Sequence, residues 1–101
     1  MKRIINGKMY NTDTATCVGS DEYGNPRDYR HWYEALYRKK SGEYFLYGEG
    51  GPLSQYRQDR GTNSWSGSES ITPMDIDEAR LWAEDHLDAD EYIEEFGRAE
   101  E

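Results

Sequence analysis

Cysteine occurs once in this 101-residue chain, at Cys17, proline three times and histidine twice. A lone thiol excludes an intramolecular disulfide and fits a reducing compartment. No stretch approaches the roughly 18 apolar residues that a membrane-crossing helix needs. The opening Met1-Lys2-Arg3-Ile4-Ile5 is basic but lacks the apolar segment of a secretory signal. These absences predict a cytoplasmic protein with no membrane association. Aliphatic residues are scarce as well: apolar content is 35% against 33% charged. The core must therefore be thin, and the nine Tyr, three Trp and two Phe have to supply much of its area. The length suits one domain over residues 1–101, with room for one modest core.

Catalytic chemistry is equally thin. His31 and His86 stand alone in the sequence, without a second ligand at metal spacing, and neither HExxH nor CxxC occurs. The run "GEGGP" at Gly48–Pro52 is glycine-rich, but no Lys-Ser/Thr follows it and Glu49 sits inside it, so it does not read as a phosphate cradle. Cys17 would need an activating neighbour that the sequence does not identify. Carboxylates abound, yet on a solvated face they stay ionised, whereas a general acid needs an apolar setting. "DADEYIEE" lacks the Asp-x-Asp-x-Asp-Gly pattern of a calcium loop. The expectation is a protein that is not an enzyme, with no cofactor and no metal centre.

What the chain does have is negative charge in one place. Residues 1–60 hold ten Lys/Arg and eight Asp/Glu, whereas residues 61–101 hold two Arg and thirteen Asp/Glu. A segment of net charge −11 repels free nucleic acid and anionic membranes and attracts basic surfaces.

The N-terminal part reads as strands. Asn6-Gly7 between Ile4-Ile5 and Met9-Tyr10 is a hairpin signal, because both turn positions favour positive φ. Thr14 to Gly19 continues the extended pattern, and Gly24-Asn25-Pro26 breaks it. Trp32–Arg38 and Glu43–Tyr47 flank Lys40-Ser41-Gly42 as a second hairpin, with apolar groups on both faces. One face should pack under a helix, leaving the other aromatic. Pro52 to Arg60 reads as a short helical turn, with loop around it, and Trp65 is expected to fold back onto the body. Ser70-Ile71-Thr72 reads as a final strand.

The last third reads as helix. Asp75 and Glu78 have capping-box spacing, and Met74 is placed to staple onto Ala79. At 100° per residue, Ile76, Ala79, Trp82, Ala83 and Leu87 share one stripe of a helix over 76–87. Asp77, Glu78, Glu84, Asp85 and Asp88 lie opposite, with Leu81 among them. Asp88 and Glu91 repeat the capping spacing and open a shorter helix in which Tyr92 meets Phe96, with Gly97 as its C-cap. The fold class predicted is α+β. An antiparallel sheet of about four to five strands fills residues 1–72, with the amphipathic helix on one face and a short C-terminal helix closing an acidic helical end at 75–97.

Carboxylates spaced along a surface imitate a duplex, which carries roughly one negative charge per 1.7 Å of axis. Positions 77, 84, 88, 91 and 95 make a continuous row if the two helices run on from each other. The candidate partner-binding residues are Asp77, Glu78, Glu84, Asp85, Asp88, Asp90, Glu91, Glu94 and Glu95, with Leu81 as an apolar anchor. The bland account is that the acids are merely solvated and that Leu81 is covered by the returning helix.

The segments "IINGKMYNTDTAT", "LYRKKSGEYFLYGEGGPLSQY", "NSWSGSESITPM" and "DEARLWAEDHLDADEYIEEFG" resemble small acidic anti-CRISPR proteins of bacterial mobile elements, over most of the chain. That resemblance implies a phage- or element-encoded inhibitor in the host cytoplasm. It would bind a Cas protein or CRISPR effector complex, without touching nucleic acid itself, and block target DNA capture or cleavage. Cas effectors hold nucleic acid in basic channels, which suits the charge asymmetry. A monomer or weak homodimer is expected. The alternative is an antitoxin or regulatory adaptor that neutralises a basic toxin or regulator, since Ile71-Thr72 before two capped helices loosely resembles a ribbon–helix–helix end.

Overall fold

The computed structural model describes residues 1–61 and 64–98, with the backbone alone for Ser64 and Trp65. The expected folding back of Trp65 therefore lies outside the described side chains. In chain order the elements are β1 (Lys2–Ile5), β2 (Lys8–Asn11), β3 (Thr16–Tyr23), β4 (Trp32–Arg38), β5 (Tyr44–Gly50), β6 (Gln58–Gly61), β7 (Ser64–Ser66), β8 (Ser68–Met74), α1 (Ile76–His86) and α2 (Ala89–Phe96). This is an α+β fold, built on a four-stranded antiparallel sheet of order β3-β4-β5-β8. The hairpins β1–β2 and β6–β7 form two further small sheets.

Local chemistry explains most boundaries. Asn6 and Gly7 turn β1 into β2 with φ of 51° and 78°, the pair of left-handed conformations that Asn-Gly accepts at low cost. The segment after Pro52 is not the expected helical turn. Ser54 N–H bonds Gly51 O at 3.1 Å and Arg57 N–H bonds Ser54 O at 3.2 Å, so successive turns carry the chain into β6. The reason lies in the sheet beneath. Gly48 leaves no room for a Cβ, because the Tyr56 ring lies directly on it. Holding that ring in place favours separate turns over a helix. The expected loop after Arg60 also contains β7 and the start of β8.

The sheet separates two cores. On one face Leu36, Tyr44 and Leu46 meet Ala79, Trp82 and Ala83 of α1, with Val18, Met74, Leu87, Tyr92 and Phe96 around them. On the other, Tyr10 of the β1–β2 hairpin joins Phe45 and Ile71, flanked by Tyr37 and Tyr47. Tyr10 meets Phe45 edge-on at 5.5 Å, and Tyr37 stacks on Phe45 at 5.3 Å. These rings supply the area that the missing aliphatics cannot.

Both helices begin where the capping pattern places them. Asp75 accepts Glu78 N–H at 2.8 Å while Glu78 reaches back to Asp75 N–H at 3.1 Å. Asp88 and Glu91 repeat the arrangement at 2.8 and 3.3 Å. Gly97 ends α2 at φ 86°. Leu87 and Asp88 are both extended, with ψ of 158° and 169°, and this breaks the helical path. The Arg80 guanidinium lies 5.7 Å from the Phe96 ring, although the two are sixteen positions apart. A single straight helix would separate them by about 24 Å. α2 therefore folds back beside α1. The continuous row of positions 77 to 95 does not form, because two extended residues turn the chain at 87–88. β8, which precedes the two capped helices, is the edge strand of the sheet and pairs along its length with β5.

Candidate partner-binding surface

The helical hairpin is fixed to the sheet by two polar anchors as well as by apolar packing. At the first, the buried carboxylate of Glu34 on β4 accepts the Trp82 Nε1–H at 3.0 Å and the Tyr56 hydroxyl. Burial, and after it donation to the carboxylate, pushes the Tyr56 phenol well up from its ordinary value. His86, isolated in sequence, belongs to this cluster. Its Nδ1 lies 2.9 Å from Asp21 Oδ2, its Nε2 lies 3.9 Å from Glu34 Oε1, and its ring stacks on Trp82 at 4.6 Å. Asp21 and Glu34 are cross-strand partners, so the histidine sits between two opposed carboxylates.

At the second anchor, Glu95 of α2 accepts the Tyr44 hydroxyl at 2.5 Å and pairs with Arg38. Its side chain is only 10% exposed. Burial and this bond push the Tyr44 phenol up to about 12. Glu95 is thereby removed from the outward-facing set: its charge is spent on the sheet.

The other candidates divide by what the helices require of them. Asp77, Glu78, Glu84, Asp85, Asp88, Asp90 and Glu94 are exposed, and Glu91 is half-buried. Glu78, Asp88 and Glu91 close the two capping boxes. Asp77 and Asp90 lie in first turns, where negative charge complements the helix dipole. Glu84, Asp85 and Glu94 have no such role. They lie toward the C-terminal ends of α1 and α2, where a carboxylate opposes the dipole, and among the described residues no ion pair reaches them.

Leu81 stays 62% exposed, so the returning helix does not cover it. Ile93 at 42% and Ile76 at 44% are also open. Ile93 lines a cleft of about 300 Å³ between the helices, floored by Ala83, Leu87, Ala89 and Tyr92 and rimmed by Glu84 and Asp88. The signal for it was present in sequence, since Ile93 lies 100° from Tyr92 and cannot share its inward direction, but a stripe drawn for α1 alone passes over it. Cys17 is exposed, and its thiol is pushed up by desolvation, away from the reactive thiolate. Among the described residues, no group of three or more His, Cys, Asp or Glu could hold a metal ion, and no helix is long and apolar enough to cross a membrane.

No family model, no curated protein and no solved structure matches this chain.

Proposed function

We propose that this protein is an anti-CRISPR inhibitor. Its acidic helical hairpin occupies a basic nucleic-acid-binding surface of a Cas effector and so blocks target DNA binding, without catalysis. The observation that carries the reading is the placement of Glu84, Asp85 and Glu94. Solubility needs charge but not charge set against the helix dipole, where each carboxylate costs about 0.3–1 kcal/mol at low salt. A surface that keeps such residues unpaired gains from a cationic partner what it loses in the free state. Leu81 and Ile93 stand within the acidic field as apolar anchors, whose burial adds affinity to the steering that charge provides. The resemblance to small acidic anti-CRISPR proteins supplies the identity of the partner, a host Cas protein acting in the cytoplasm.

The test separates fold from function by sign. Asp88 and Glu91 are capping residues, so reversing them would confuse lost binding with lost helix. The variant E84Q/D85N/E94Q spares both caps. It should melt higher than the parent at low salt, by several degrees, since about 1 kcal/mol moves a domain of this size by roughly 4–8 °C. It should also inhibit target DNA binding by the effector less well. A variant that melts higher and inhibits in full overturns the mimicry.

A further inference from the structure

We infer that the sheet face turned away from the helices is a second docking surface, for an arginine-bearing segment of a protein partner. Sheet register puts Glu22, Tyr33, Glu49 and Glu69 on one rung across all four strands. On that face Tyr33 and Tyr47 are half-buried, with ring centroids 6.3 Å apart. With Met1, Thr12 and Tyr37 they wall an open cleft of about 330 Å³ that ends on Glu69. The β1–β2 hairpin packs Tyr10 against Ile71 and Phe45, on the next two rungs of that face.

Glu49 and Glu69 are directly opposed, an arrangement that destabilises a sheet when the charges are alike. The helix-side face shows how this chain treats such a pair when it satisfies one itself. There Asp21 and Glu34 are opposed, and His86, Trp82 and Tyr56 supply nitrogen and hydroxyl groups to them. Among the described residues, the hydrogen-bond donor offered to the outer pair is the Tyr47 hydroxyl, 2.7 Å from Glu49 Oε2 and 2.8 Å from Glu69 Oε2. A phenol has one proton and two ionised carboxylates have none, so one of these two contacts lacks a donor. Among the described residues, no ion pair reaches Glu22, Glu49 or Glu69.

A guanidinium meets every term of this deficit. It carries five N–H donors in a plane, bridges carboxylate oxygens in pairs, and stacks on tyrosine rings. A lysine ammonium offers charge without the planar fork that can bridge Glu49 and Glu69 and lie on a tyrosine face. The occupant is therefore an arginine presented on an exposed segment of another protein. This surface is separate from the acidic hairpin, across the sheet from it, and does not depend on what the hairpin binds.

The test titrates the 15N-labelled full chain with the peptide acetyl-Gly-Arg-Gly-Arg-Gly-amide and with the same peptide carrying citrulline, the neutral isostere. The arginine peptide should shift the amides of Tyr33, Tyr47, Glu49 and Glu69. It should bind at least about tenfold tighter than the citrulline peptide, the loss of one charge-assisted contact. E49Q/E69Q, with E69Q alone as a milder variant, should lose these shifts while keeping any at the helices. Both variants should also melt higher than the parent at low salt, as opposed charge is removed. Shifts confined to the helices, shifts unchanged in the variants, equal affinity for the two peptides, or a lower melting temperature would each overturn the proposal.

Discussion

At the scale of single residues, the fold depends on phenols and one buried acid where another protein would use aliphatics. Tyr37, Tyr44, Tyr47 and Tyr56 all hold their protons more tightly than a free tyrosine, each mainly because burial disfavours the phenolate. A pKa raised on folding contributes stability that is fully present below the unfolded value near 10 and is lost as pH climbs through the folded value. The protein should therefore keep its melting temperature up to about pH 10 and lose it steeply toward 12, where Tyr44 titrates. Absorbance at 295 nm should show these four phenols ionising above pH 10; their ionisation at or below pH 10 would contradict this. Glu34 is the companion case. Trp82→Phe replaces the indole with the smaller benzene ring and removes a donor from the buried carboxylate, and should cost at least about 1–3 kcal/mol in a thermal melt. An unchanged melting temperature would show that the bond contributes nothing.

At the scale of elements, the sequence was most informative where a rule is local. The Asn6-Gly7 turn, the hairpin from Trp32, and both capping boxes depend on residues within four positions of each other, and each is found where the pattern puts it. Asp75→Ala and Asp88→Ala should each remove about 1 kcal/mol, with helicity by circular dichroism falling more for the shorter α2. Equal helicity in both variants would argue against the caps as determinants. The misreadings have a common cause. Pro52–Arg60 takes turns instead of a helical turn because Tyr56 is held over Gly48, a contact with a strand earlier in the chain. The continuous acidic row is lost at Leu87 and Asp88: the N-cap Asp88 is extended, as its capping role requires, while the direction in which α2 then returns is set by its packing on β3 and its Glu95–Arg38 pair. His86 looked isolated because its neighbours, Asp21 and Trp32, come from strands more than fifty positions away.

At the scale of the whole molecule, the two sheet faces present different acids for different reasons. The helical side spends Glu34 and Glu95 on holding the hairpin and turns Glu84, Asp85 and Glu94 outward. The far side sets Glu49 against Glu69 around a single phenol. Helical periodicity exposed Glu84 and Asp85 in sequence, whereas the burial of Glu34 depends on Trp82 and Tyr56 and the inward turn of Glu95 on Arg38 and Tyr44 of the sheet. The second group was invisible, because Glu49 and Glu69 are twenty positions apart and only strand register brings them together.

The outward acids are proposed to answer to a nucleic-acid-binding groove. The most direct measurement is retention on the immobilised full chain from lysate of a host carrying its own CRISPR system. Elution is by rising salt and, separately, by duplex DNA, with the retained proteins identified. The expected outcome is a Cas subunit that leaves steeply with salt, is displaced by DNA, and is not held by E84Q/D85N/E94Q. A toxin retained in its place, or a Cas subunit held equally by the variant and indifferent to DNA, would contradict it.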